Sequence, residues 1–507
     1  MSRLFLFIGL FCGALTFGQL SKPLIGPEYD TQKKENFSGF IGENAIALFT
    51  ADYIYHNRKK QELIIRQFHR GDLQLVSSTD IYNIIQDGYS NEPEEIFYQN
   101  GKFFLFSKLF SDRDKTELLA IEVFNESLER TYMSILDTLS SEEIQYIEES
   151  STKNGFILAS HLKYTQLVEQ QINLIMIDGE GKVKWEQSVK SPMALQNLRI
   201  ENMAFSDETP VYILCNYAYD LSTSTDVEQL VNNKYAIWAY DHEKSFLKEF
   251  EVRLKDKWVN GIDIGFNKKN DLIIGGYFNE SKRPSIAGVF SLRIGPKFNV
   301  KNTSWSKFDV QVIEKFMRKD DRKRNPELED YVLNDLCLLN DGSFFVLGEQ
   351  YYKYIERSHD PRTNITTTTE HYNYNSIIVS YFDTLGNHKW TERVPKAQNS
   401  TNDYGYFSSF TTMNSGKEIY LFFNDARKNN ETPPNGYFSY SNLFNNRRFQ
   451  ISYVHIGKKG IVTRGGLIDD SYDHALRAKM CSQLSNDAIY LITESNRNSK
   501  IVRVGLK

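Results

Sequence analysis

Val379-Ser380-Tyr381-Phe382-Asp383-Thr384-Leu385-Gly386-Asn387-His388-Lys389-Trp390 decides the fold. It reads as an apolar strand, a short polar turn, and a second strand carrying a tryptophan. Ile175-Met176-Ile177-Asp178-Gly179-Glu180-Gly181-Lys182-Val183-Lys184-Trp185 has the same layout 205 residues earlier. In both, a glycine follows the aspartate by three positions and a tryptophan by seven: Asp178, Gly181, Trp185 and Asp383, Gly386, Trp390. Weaker copies sit at Asn125, at Asp241 and at Gly457-Lys458-Lys459-Gly460. Asp and Asn open such turns because their side chains bond the backbone ahead, and Gly tolerates the positive φ that closes them.

Upstream of each copy stands another turn, made of Asn, Asp or Gly and followed at once by a dense apolar run. Examples are Asn100-Gly101 before Phe103-Phe104-Leu105-Phe106, and Asn340-Asp341-Gly342 before Phe344-Phe345-Val346-Leu347. Eight such turns fall between positions 44 and 487. Runs of four to six apolar residues without helical period are strands buried on both faces. One unit is therefore strand A, tight turn, strand B, variable loop, strand C, tight turn, strand D. Unit six is the clearest, with strands at 333–339, 343–350, 377–382 and 388–393. Four-stranded units repeated at this spacing imply an all-β fold, a β-propeller whose sheets pack face to face around an axis. Eight blades are favoured and seven are the alternative. Stacked β-sandwich domains would need linkers rich in Pro, Gly or Ser, and the sequence has none. The eighth unit runs out after three strands, at 474–484, 488–495 and 501–504. An open edge invites aggregation, so the N-terminal segment 20–29 is expected to donate the missing strand and close the ring.

Strand parity assigns the faces. The A–B and C–D turns lie on one side of the disc, and the B–C loops and D-to-A crossings lie on the other. The long insertions, 217–234, 309–331, 351–376 and 425–447, all belong to the second side, where a rigid scaffold usually carries its binding loops. Those of units six and seven hold Tyr351, Tyr352, Tyr372, Tyr374, Tyr437 and Tyr440 among Asn, Ser and Thr. Tyrosine offers a large rigid apolar area with a hydroxyl that stays satisfied in a wet interface, so these six are the candidate binding residues. Insertion 309–331 differs, with helical spacing at Val312-Ile313 and Phe316-Met317 before a mixed charge run at 318–324. That pattern reads as a short surface helix with a solvated loop.

Catalytic motifs are missing. The sequence has no His-Glu-x-x-His, Cys-x-x-Cys, Gly-x-Ser-x-Gly, phosphate-binding glycine loop or calcium-loop spacing. His359 and His371 share an insertion with Asp360 and Glu370, but a spacing of twelve does not define a metal site. No catalytic residue, metal or cofactor is assigned. A glycan-active hydrolase with two carboxylates at the channel mouth is the alternative to a non-catalytic module, since such enzymes need only a carboxylate pair.

The first eighteen residues form an export signal: Arg3, an apolar run from Leu4 to Leu15, then Thr16-Phe17-Gly18 before the cut. That run is too short to span a bilayer, and no later segment is apolar enough to do so. The expected organisation is a signal peptide at 1–18 and one propeller domain at 19–507. The chain has 507 residues and a formal charge of −5, and losing Arg3 makes it more negative. Neither nucleic acid nor an anionic membrane surface suits such a balance. Cys215, Cys337 and Cys481 would remain, too few and too scattered for a disulfide framework.

One segment has a family likeness. Glu349-Gln350-Tyr351-Tyr352, Asn375-Ser376-Ile377-Ile378-Val379, Gly386-Asn387-x-x-Trp390 and Val394-Pro395-Lys396-x-Gln398 resemble a stretch in uncharacterised exported proteins of Bacteroidetes. The resemblance covers about 60 residues and carries no assigned activity. It implies a periplasmic or outer-membrane-associated setting. The leading reading of the whole chain is an exported, periplasmic, outer-membrane-associated or secreted module that binds or scaffolds a protein or glycan of the cell envelope.

Overall fold

The computed structural model describes residues 20–30, 35–56, 59–81, 89–111, 113, 115–140, 143–162, 171–190, 197–206, 209–218, 234–254, 256–280, 285–317, 327–432, 438–440, 449–468, 472–495 and 498–507. The signal segment 1–18 and the charge run 318–324 lie outside them, as does most of insertion 217–234.

Seven consecutive antiparallel sheets, each built around four strands in chain order, occupy 35–81, 89–139, 143–190, 197–251, 258–307, 331–394 and 411–466. They are blades 1 to 7. An eighth sheet, blade 8, is assembled from both ends of the chain. Its own strands Ala475–Leu476, Ser482–Ser485, Ala488–Ser495 and Asn498–Gly505 are joined by Leu24–Ile25 and Tyr29–Asp30. Leu24 pairs with Arg503 and Tyr29 with Ser499, so the N-terminal segment runs along the outer edge of Asn498–Gly505. It does so as two short strands rather than the single one expected. Between them Gly26 lies so close to blade 1 that a Cβ would stand 2.9 Å from the Leu73 carbonyl oxygen.

The core is distributed between blades. Among the described residues, eight clusters of buried apolar side chains each span two neighbouring sheets. One joins Phe49 and Ile65 of blade 1 to Phe103 and Leu105 of blade 2. Another joins Trp238 of blade 4 to Ile157 and Leu174 of blade 3. The eighth sets Phe40, Leu48 and Phe68 of blade 1 against Tyr490, Ile492 and Ile501 of blade 8. Central strands such as Leu272–Asn279 and Ile419–Ala426 are buried at every position, which is why their sequences lack polar alternation. First strands of neighbouring blades touch at 1–2, 3–4, 4–5, 5–6, 7–8 and 8–1, so this layer lines the axis.

The quoted turns work as latches between blades. Asp178 Oδ1 accepts the N–H groups of Glu180 and Lys182 at 2.9 Å each, and Asp383 Oδ1 accepts those of Leu385 and Asn387 at 2.9 Å. Gly181 and Gly386 both sit at φ 85°. The residue seven positions after the turn opener then grips the next blade's turn. Trp390 Nε1 donates to the Lys458 carbonyl at 2.8 Å, and Trp185 stacks on His242 with ring centroids 4.4 Å apart. Where that residue is not aromatic the grip persists: Lys248 donates to the Phe298 carbonyl at 2.7 Å, and Asn302 to the Leu385 carbonyl at 2.6 Å.

The expected surface helix is Val310–Phe316, capped by Asp309, whose carboxylate accepts from Val312 N–H at 2.8 Å. It buries Ile313 in the cluster between blades 5 and 6 and pairs Lys315 with Glu392 at 2.6 Å. Among the described residues no helix is long and apolar enough to cross a membrane.

Candidate binding face

Insertion 351–376 is not a loop. The two central strands of blade 6, Phe344–Asp360 and Ile365–Phe382, continue through it as a two-stranded ribbon. Pairing runs from Tyr351 opposite Tyr374 to Asp360 opposite Ile365, which at strand rise projects the ribbon roughly 30 Å. The local sequence accounts for this. Ile365-Thr366-Thr367-Thr368-Thr369 is an unbroken β-branched run paired with 356–360, and such residues favour the extended backbone even when solvated. A bulge between Glu349 and Tyr351 marks where blade becomes ribbon. A fifth strand, Gln398–Thr401, pairs with His371–Tyr374 and braces its base.

Tyr351 and Tyr374 face each other across the base, rings 4.7 Å apart. Tyr374 is buried, and Lys479 of blade 8 donates to its hydroxyl at 2.8 Å. Burial lowers the Lys479 pKa. Both tyrosines line a cavity of about 490 Å³ whose other walls include Asp335 and Glu349 of blade 6, Ser409, Phe410 and Thr412 leading into blade 7, and Lys479 and Gln483 of blade 8. Three blades therefore meet at one opening.

Below that wall lies a buried polar knot. Lys396 and Glu349 form an ion pair at 2.5 Å, their side chains 0% and 1% exposed. Lys396 also donates to Gln398 Oε1 at 2.8 Å and to the Tyr374 carbonyl at 3.0 Å, while Ser409 Oγ donates to Glu349 at 2.7 Å. Burial pulls the Lys396 pKa down against the pull of Glu349.

The remaining candidate tyrosines are spread along the ribbon. Tyr372 is buried beneath Lys353, whose ammonium stands 5.2 Å from the ring centroid, and donates to Glu370. Tyr440 is 57% exposed, and besides burial the nearby hydroxyls of Tyr352 and Tyr354 push its pKa up. Residues from the insertions of units six and seven thus come near one another. Tyr437 lies outside the described residues. Tyr354 stacks on His371 at 4.4 Å and Tyr404 is 78% exposed beside Tyr372. His359 and His371 do not converge: one pairs in register with Thr366 and the other with Tyr354, five pairs away. Among the described residues no three His, Cys, Asp or Glu side chains gather as a metal site. Cys215, Cys337 and Cys481 are free thiols.

Lys479, the Lys396–Glu349 pair and a file of carboxylates near the axis escape the sequence reading. Burial first, then Glu149, Glu95 and Asp263, push Glu148 up to about 8. Burial raises Asp263 and Asp335 as well, and Asn202 donates to Asp263 at 2.6 Å. The signal was present: Glu95, Glu148, Asp263 and Asp335 each sit within strand A of their unit. Lys479 carried no signal, because only the packing of blade 8 on blade 6 gives it a role.

The sheets define the class: the chain is a β-propeller of four-stranded blades. No protein-family model matches it, and no curated protein matches its sequence. Among solved structures it is similar to the WD40 domain of SCAP from fission yeast, at 8% identity over 94% of this chain and 98% of that one, with TM-score 0.39. It is also similar to the β-propeller domain of the trilobed protease from Pyrococcus furiosus, at 9% identity over 88% and 98%, with TM-score 0.36. At such scores the likeness adds no weight, and the assignment rests on the strand pairing itself.

Proposed function

We propose that this chain is an exported binding or scaffolding module whose ribbon and adjoining cavity capture a protein or glycan of the cell envelope. The observation behind this reading is the convergence of Tyr351, Tyr374 and Lys479 from two blades on one open cavity at the foot of a 30 Å-scale ribbon. Rigid aromatic area beside a partly desolvated cation is the make-up of an interface anchor. The signal-like layout of residues 1–18 supports the export part of this reading, and no nucleic acid, membrane span or cofactor enters it.

Cross-linking pull-down from the native envelope fraction tests it. A variant in which 356–369 is replaced by Asn-Gly, with Tyr354 and His371 kept, should stay folded and lose the cross-linked partner. Undiminished capture by that variant would confine the site to the cavity at the ribbon's foot, and undiminished capture by Tyr351→Ala/Lys479→Ala as well would move it off this face.

A hydrolase is the second reading, because Asp335 and Glu349 share the cavity with tyrosines. Glu349 is already committed to Lys396 and Ser409, so among the described residues of that wall no carboxylate pair stands uncommitted. Glycan cleavage that disappears in Asp335→Asn would favour the enzyme over the module.

A further inference from the structure

The opposite face, made of the tight turns, holds another cavity, of about 560 Å³, between blades 5 and 6. Its lining is basic. Lys268 and Lys269 come from the A–B turn of blade 5, Arg293 from its third strand and Lys301 from its fourth. Four cations around one opening run against the net charge of −5. Arg293 and Lys301 share one fully buried carboxylate, Asp271, with Nε at 2.8 Å and Nζ at 2.5 Å from its oxygens. Asp341, the acidic residue in the lining, is held by Lys458 and by Ser343 Oγ at 2.6 Å. Lys268 and Lys269 are exposed, and among the described residues neither has a carboxylate within ion-pair distance.

The cavity is also stiff. Its far wall is the 383–387 turn, and blade 5 fixes three successive carbonyls of it. Arg293 donates to Thr384 at 2.7 Å, Asn302 to Leu385 at 2.6 Å and Ser291 to Gly386 at 2.6 Å. A preformed wall lowers the ordering cost of binding, and Asn340 and Asn387 add neutral amide donors at the rim. The volume falls within the range of small-molecule sites and exceeds what one phosphate needs.

We propose that this cleft binds a compact multivalent anion of phosphate or sulfate chemistry, with Lys268 and Lys269 as its paired donors. Such a ligand supplies the countercharge that the two lysines lack, and charge-assisted hydrogen bonds in a preformed cleft are the strong kind. This cleft stands apart from the ribbon, which lies on the other side of the disc.

Calorimetric titration at low ionic strength tests it, with inorganic pyrophosphate in one arm and a sulfated disaccharide in the other. Saturable binding of at least one probe is expected, weakened about tenfold or more in the Lys268→Ala/Lys269→Ala variant, since each ammonium lost removes a charge-assisted bond. The melting temperature of that variant without ligand should equal the wild type, and Lys353→Ala on the ribbon should bind as the wild type does. Tighter binding of pyrophosphate assigns a phosphate source and tighter binding of the disaccharide a sulfated glycan; both retain the site. Failure of both probes to saturate, or equal affinity in the double variant, overturns it.

Discussion

Lys396 and Glu349 show how much a single buried pair can carry. With both side chains out of water, removing one partner strands a charge, and that costs about 3–5 kcal/mol in comparable sites. Lys396→Met should therefore melt well below wild type, and adding Glu349→Gln should recover part of the loss because the stranded charge is gone. A double variant no more stable than Lys396→Met in denaturant titration would show that the pair is not coupled. Glu148 makes the opposite case. Its folded pKa, about 8, lies above that of an unfolded carboxylate. The native state thus holds a proton that the unfolded chain releases, and the contribution is present below about 4.5 and lost as pH rises through about 8. Glu148→Gln should match wild type near pH 4 and melt at higher temperature at pH 8 to 9. Thermal scans across that window decide it, and a constant gap at every pH would remove the titration from the explanation.

At the scale of elements, strand propensity and packing separate in blade 6. Inside the blade, Phe344 to Leu347 are buried on both sides and hold neighbouring sheets together. Beyond Tyr354 the same two strands carry exposed side chains and contribute mainly their own hydrogen bonds. Replacing 356–369 by Asn-Gly should thus shift the melting temperature by only about 2 °C, since surface changes fall within about 0.5 kcal/mol. A large drop in a thermal scan would mean that the ribbon packs on the disc and is structural. The Trp latches behave differently, since each ties one blade's outer strand to its neighbour's turn. Trp390→Ala removes a half-buried ring and the bond to the Lys458 carbonyl, and should cost about 2–3 kcal/mol. Denaturant unfolding with an unchanged midpoint would refute that estimate.

On the scale of the whole molecule, the N-terminal segment is the piece with most leverage. Leu20, Leu24 and Tyr29 pack against clusters that include blade 8, and their burial contributes on the order of 5 kcal/mol. Deleting 20–29 should expose the edge of Asn498–Gly505 and cause aggregation or a melting temperature lower by about 10 °C. A soluble variant with wild-type stability would show that the contact of blades 8 and 1 closes the ring without it.

The sequence by itself determined the repeat, the strand content, the turn geometry at Asp178 and Asp383 and the side of the disc that bears insertions. These follow from local rules: Asx turns, positive φ at glycine and apolar runs of strand length act within a few residues. Tertiary structure alone decided the rest. It turned insertion 351–376 into a ribbon, because pairing partners 5 to 23 residues apart can be recognised only once their register is set. It also brought Lys479 to Tyr374 over 105 residues and gathered four cations between blades 5 and 6. Contacts across blades depend on how whole sheets stack, and no periodicity in a single strand encodes which side chain its neighbour's neighbour will meet.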